Sequence, residues 1–126
     1  TYTSTSQCNV TTMNNSVWLG QSNVLSSITI RFSRPVTNVG IAFTSADAGE
    51  VFTVTTNGKQ PIQLKSSSSC ENQINVTNNK VSFTGSNKVG GNLAIGGVWF
   101  TELKLEQNGQ GGGSLFGFCL NNSDAL

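Results

Sequence analysis

The stretch NGQGGGSLFGFC, residues 108–119, places five glycines within nine residues and then enters an apolar run closed by a cysteine. It has three readings: a phosphate-cradling loop, a flexible spacer, or a turn between strands. A dinucleotide fingerprint needs three spaced glycines ahead of a helix, so that the backbone can approach the pyrophosphate. Here Gly109 and Gly111 are followed by Ser114 where the third glycine belongs, and the next residues have strand character. A P-loop needs a lysine directly after its second conserved glycine. Gly112 and Gly117 have that spacing, but Phe118 stands in the place of the lysine. A Gly/Ser spacer should not lead straight into a segment that must be buried. In SLFGFCL, Phe116, Phe118 and Leu120 share one parity and Cys119 takes the other. The stretch therefore reads as the tip of a hairpin before a closing strand.

The same alternation extends along the chain. Val24, Ser26, Ile28, Ile30 and Phe32 share a parity, with Leu25, Ser27, Thr29 and Arg31 on the other, the pattern of a half-buried strand. Ser33-Arg34-Pro35 is expected to turn, since proline cannot donate to a ladder, and Val39, Ile41 and Phe43 resume the pattern. In EVFTVTTNGKQPIQL, Asn57-Gly58 suits a type I′ turn joining 51–56 with 59–64, and Pro61 marks the second strand as short or at an edge. In QINVTNNKVSFTG, a two-residue loop at Asn78-Asn79 pairs Thr77 with Lys80, Val76 with Val81, and Ile74 with Phe83, so that all the apolar residues fall on one face. SNKVGGNLAIGG, 86–97, reads as a long loop with a short extended piece at Asn92–Ile95. VWFTELKLEQ, 98–107, reads as a strand with Trp99, Leu103 and Leu105 facing the core and Glu102, Lys104 and Glu106 facing solvent. Adding Val17–Leu19 gives about nine strands, and no window sustains a helical period. The expected fold is all-β: a single antiparallel β-sandwich domain, jelly-roll in type, over 1–126, with 1–7 as an arm.

Composition narrows the function classes. The chain has seven Lys/Arg and six Asp/Glu, only 10% charged residues, against roughly 25% in ordinary soluble domains. Its basic residues are scattered, which argues against nucleic acid, and no apolar run is long enough to span a membrane. Without histidine, Ser-His-Asp and Cys-His nucleophiles are impossible. Glu102 and Glu106 sit roughly 13 Å apart along a strand, beyond the ~6.5–9.5 Å of an inverting glycosidase pair. No enzyme is expected. Three cysteines with no zinc spacing allow one disulfide and one leftover thiol, which with the low charge points to an extracellular protein. Three connectivities are open. Cys70 with Cys119 is favoured, leaving Cys8 in the arm, because a cysteine between serine and glutamate makes a poor buried thiol. Four Asn-x-Ser/Thr sequons match, as many as chance gives in so Asn-rich a chain.

The run SSITIRFSRPVTNVGIAF, the acidic loop TSADAGE, the NG segment and the closing GFCL together resemble jelly-roll, galactose-binding-like β-sandwich modules of secreted or surface-anchored bacterial proteins. The resemblance implies a module excised from a larger polypeptide that binds carbohydrate, mediates adhesion or acts as a spacer. It also implies a structural calcium ion, for which Asp47 and Glu50 are the acidic-loop candidates. From the residues, Trp18 is sent outward if Val17 and Leu19 point in, as a platform for a sugar face. Asn87, Asn92, Asn108 and Gln110 would form an amide rim around it, supplying donors and acceptors to a hydroxyl-rich glycan. The expected function is a non-catalytic extracellular binding or adhesion module. The competing expectation is a structural spacer or self-association domain without a small ligand.

Overall fold

The computed structural model describes residues 5–8, 10–12, 16–21, 24–85, 88–110 and 112–120. The strands are β1 (Thr5–Gln7), β2 (Val10–Thr12), β3 (Val17–Leu19), β4 (Ser26–Val36), β5 (Val39–Ala46), β6 (Val51–Thr56) and β7 (Gln63–Ser67). After a short 3-10 turn at Glu71–Gln73 come β8 (Ile74–Thr77), β9 (Lys80–Phe83), β10 (Val89–Gly96), β11 (Phe100–Gln107) and β12 (Ser114–Cys119). Two five-stranded antiparallel sheets, ordered β3-β12-β5-β10-β7 and β4-β11-β6-β9-β8, form a sandwich, and β1-β2 is a separate ribbon. Ten strands in the two sheets stand close to the nine expected. The interleaving β3-β12-β5-β10 against β4-β11-β6-β9 is a jelly-roll-like order, with β7 and β8 added at the edges.

The apolar parity of each strand becomes the core. Phe43 of β5 and Phe116 of β12 face Phe52 of β6 and Phe83 of β9 from the opposite sheet, all buried. Their rings meet edge to face, with centroids 4.8 Å apart for Phe52–Phe116 and 4.9 Å for Phe52–Phe83. That geometry sets the positive ring edge against the negative face of the neighbour. Leu103 and Leu105 of β11 are fully buried beside them, as the alternation predicts.

Local readings divide according to what they depended on. The β8–β9 hairpin has the expected register at every pair, Ile74 with Phe83 through Thr77 with Lys80. β7 is a five-residue edge strand, as Pro61 suggested. Other assignments are corrected. Ser33-Arg34-Pro35 does not turn the chain but lies inside β4, at an irregularity where Phe100 pairs with Val36 and Glu102 with Arg31. Proline's missing donor is absorbed by that interruption. The chain turns instead after Val36, where Asn38 takes φ 53°. Within the segment expected as a loop, Val89–Gly96 forms a regular strand: β10 pairs with both β5 and β7. Its glycines make room rather than break the strand, since a β-carbon on Gly91 would lie 3.0 Å from the Phe43 ring. The glycine-rich stretch after β11 is not a hairpin tip either, because β11 and β12 belong to opposite sheets and the connection crosses between them. Gly113 there has φ +104°, and a β-carbon would stand 2.4 Å from Gly20 O.

The expected Cys70–Cys119 bridge is replaced by Cys8–Cys70, with Cα atoms 5.6 Å apart. Cys119 is exposed and unbridged. β12 is separated from β7 by β5 and β10, roughly 14 Å of sheet, which keeps Cys119 from the loop after β7. Cys8 follows β1 and lies against β10, where Gly90 N–H donates to its sulfur at 3.4 Å. Part of the expected arm is thus ordered as β1, paired with β2; residues 1–4 lie outside the described residues.

Candidate functional site

The Asn57-Gly58 dipeptide does not make a type I′ turn; neither residue has positive φ, and β6 and β7 lie in different sheets. Its role is to hold a second loop. Asn57 Oδ1 accepts from Thr101 N–H and Glu102 N–H, each at 3.0 Å, and its Nδ2 donates to Thr101 Oγ1 at 2.8 Å. Asn57 N–H donates to Glu102 O at 3.2 Å. Gly58 lets the backbones close up, because a β-carbon would stand 2.6 Å from Val98 Cγ2 and 3.0 Å from Trp99 O. The start of β11 and the residues before it are thereby pinned against the 57–59 segment.

Trp99 stands on this clamp. It was expected in the core by parity with Leu103 and Leu105, yet it is 45% exposed. The irregularity between Phe100 and Glu102 shifts the parity by one, so Phe100 enters the core and its neighbour faces outward. The indole lines a groove of about 420 Å³ together with Pro35, Asn57, Lys59, Val98 and Thr101. The local signal for this was Pro35, which stands next to Val36, the partner of Phe100, and announces that regular pairing fails there. A second depression of about 470 Å³ lies beyond the same connection, lined by Thr55, Gln60, Pro61, Ile62, Asn78 and Asn79.

Of the residues expected around Trp18, Asn108 and Gln110 lie at its end of the sandwich and Asn92 stands in mid-strand. Trp18, in edge strand β3, is half-buried and donates its Nε1–H to Gly20 O at 3.0 Å, so its polar edge is spent within the fold. Asn108 is a bracket: it accepts from Val51 N–H at 3.1 Å and donates to Gly49 O at 3.0 Å. Gln110 is exposed near it, with its N–H on Asn108 Oδ1. Asn92 is exposed in mid-strand on β10, opposite Ala42 and Ser67. Asn87 lies outside the described residues. Nine residue steps along β11 separate Trp99 from Asn108, roughly 30 Å. Trp18, Asn108 and Gln110 thus gather at the end of the sandwich away from the groove.

That far end holds a buried acid. Glu50 is fully buried; its Oε1 accepts from Gln107 Nε2 and Ser114 Oγ, and its Oε2 from Asp47 N–H at 3.0 Å. Gly109 N–H in turn donates to Gln107 Oε1. Asp47 meets Lys88 at 2.9 Å. This does not fit calcium, which wants six to eight oxygen ligands. Glu50 faces donors, Asp47 is taken by an ammonium, and no group of three or more metal-ligating side chains converges among the described residues. The carboxylate instead ties the β5–β6 turn to the ends of β11 and β12. Glu102 and Glu106, on β11, pair with Arg31 at 3.4 Å and Lys104 at 3.1 Å.

Burial pushes the Glu50 carboxyl above its ordinary value, with Asp47 adding to the rise; the Ser114 and Asp47 hydrogen bonds and the Lys88 charge oppose it. A carboxyl that holds its proton more tightly when folded adds stability that is complete below the unfolded value. That stability is lost as pH rises through the folded one. The thermal midpoint should therefore carry a downward component as pH rises above the ordinary value of 4.5. Glu50→Gln cannot titrate and should flatten that slope, whatever its constant offset in midpoint. Identical slopes in midpoint-versus-pH series of the two proteins would refute this.

Comparison with known protein families, curated proteins and solved structures finds no match to this chain. Among the described residues, no helix is long and apolar enough to cross a membrane. What the coordinates define is a class: a disulfide-bonded, two-sheet antiparallel β-sandwich carrying an exposed tryptophan in a braced groove.

Proposed function

We propose that this protein is a non-catalytic carbohydrate-binding or adhesion module of a larger extracellular polypeptide, and that Trp99 is its platform. The carrying observation is the half-exposed indole held on a preorganised clamp. Binding pays for every side chain or loop that must be ordered, and the Asn57 network has already ordered this one. A flat, rigid ring supplies contact area to the apolar face of a sugar at low entropic cost. The strand order is jelly-roll-like, and the proposed platform lies just before β11 rather than on β3. A disulfide closing a long segment suits an oxidising compartment.

Titration against a glycan panel, followed by tryptophan fluorescence, tests this. Binding should perturb the emission, and Trp99→Ala should weaken it at least about 30-fold, the ~2 kcal/mol typical of truncating a central aromatic anchor. Trp18→Phe should bind as the parent does. No spectral change across the panel, or full binding by Trp99→Ala, would leave the spacer role standing instead.

A further inference from the structure

We infer that the ligand of the Trp99 groove is an anionic saccharide, recognised through Lys59; this rests on the carbohydrate reading of the groove. The groove contains one cation, Lys59, and no carboxylate. The nearest acid along β11, Glu102, is engaged by Arg31 at 3.4 Å, and among the described residues no acidic group pairs with Lys59.

The hydrogen-bonding inventory points the same way. Asn57 Oδ1 is filled by two backbone N–H groups, and Thr101 Oγ1 already accepts from Asn57 Nδ2. The side-chain capacity left to a ligand is the Lys59 ammonium, the Trp99 Nε1–H, the second Asn57 Nδ2–H and the Thr101 hydroxyl proton, all donors, against one remaining acceptor lone pair on Thr101 Oγ1. A neutral sugar hydroxyl is both donor and acceptor and would find few side-chain acceptors here, whereas a carboxylate or sulfate ester only accepts. The other depression, beyond the 57–62 connection, has the opposite character: hydroxyls and amides with no charged group. In a chain with only seven basic residues, the cation and the exposed indole share one groove. Charge complementarity of this kind sets which partner is chosen.

The test compares matched oligosaccharides that differ only in charge, such as oligogalacturonate against oligogalactose and a sulfated against an unsulfated galactan. Calorimetry would be run at low and at about 0.5 M salt, where exposed charges are screened within a few ångströms. The charged member of at least one pair should bind about tenfold tighter at low salt, and salt should erase much of the difference. Lys59→Gln should remove the preference, weakening the charged member about tenfold more than the neutral one. The uronate and sulfate arms identify which anion is favoured, and preference for either supports the inference. Equal or tighter binding of the neutral members, still dependent on Trp99, would overturn the inference and leave the carbohydrate reading intact. Charged-member binding that survives Trp99→Ala would also overturn it, as diffuse attraction. Binding of no member would overturn both.

Discussion

Phe52→Ala should lower the free energy of unfolding by about 3–5 kcal/mol, the range for deleting a large aromatic side chain from a closed core. Phe52 is fully buried and touches three other rings: Phe43 at 5.2 Å, Phe83 at 4.9 Å and Phe116 at 4.8 Å between centroids. Two of those rings come from the facing sheet, so truncation removes contacts that join the two layers as well as the buried area itself. The neighbours cannot collapse into the space without moving strands that are hydrogen-bonded on both sides. A domain of this size commonly has about 5–15 kcal/mol in total, so the loss is a large share of it. Urea denaturation should show a lower midpoint with an unchanged slope. Phe52→Leu, which keeps most of the volume, should lose clearly less. A loss under about 1 kcal/mol for the alanine variant would mean that the ring cluster does not hold the sheets together.

Opening the Cys8–Cys70 bridge should cost about 4 kcal/mol, since the bond closes a loop of 62 residues and withholds that freedom from the unfolded chain. A Cys8→Ser/Cys70→Ser variant, made in a Cys119→Ser background to prevent exchange, reports the loss directly. Cys119→Ser alone should leave the midpoint where it is, because the thiol is exposed on the outside of β12 opposite Gly40. Equal stability of the bridged and unbridged proteins would show that the unfolded chain is already constrained in this region.

The residues that could be read from sequence were those whose behaviour is decided by near neighbours. The β8–β9 register followed from a two-residue loop and a strict alternation, both contained in a dozen residues. Leu103 and Leu105 faced inward for the same reason. Trp99 did not follow, because its orientation depends on an irregularity that β11 shares with β4, some sixty residues earlier in the chain. The Asn57-Gly58 pair carried a turn signal, but a dipeptide does not say which sheet receives the following strand. Glycine served there for close approach, and the sequence looks the same in both cases. Glu50 offered no sign of burial: its partners Gln107 and Ser114 are 57 and 64 positions away. The cysteine pairing failed similarly, since lateral position within a sheet is fixed by strand order and not by order along the chain.

The alternation of strands between the layers also bears on how the chain assembles. From β3 to β12, only β8 and β9 are consecutive strands in the same sheet; every other connection crosses to the opposite one. No contiguous half of the sequence can complete either layer, so N- and C-terminal portions must be brought together before most backbone pairing can form. The loop-closure entropy of those long-range encounters precedes the contacts that repay it, which places a chain of this topology among slow folders, on the millisecond-to-second scale. The β8–β9 hairpin is the one local seed within the sandwich. A growing chain cannot settle the architecture of this sandwich until β12 has been delivered between β3 and β5.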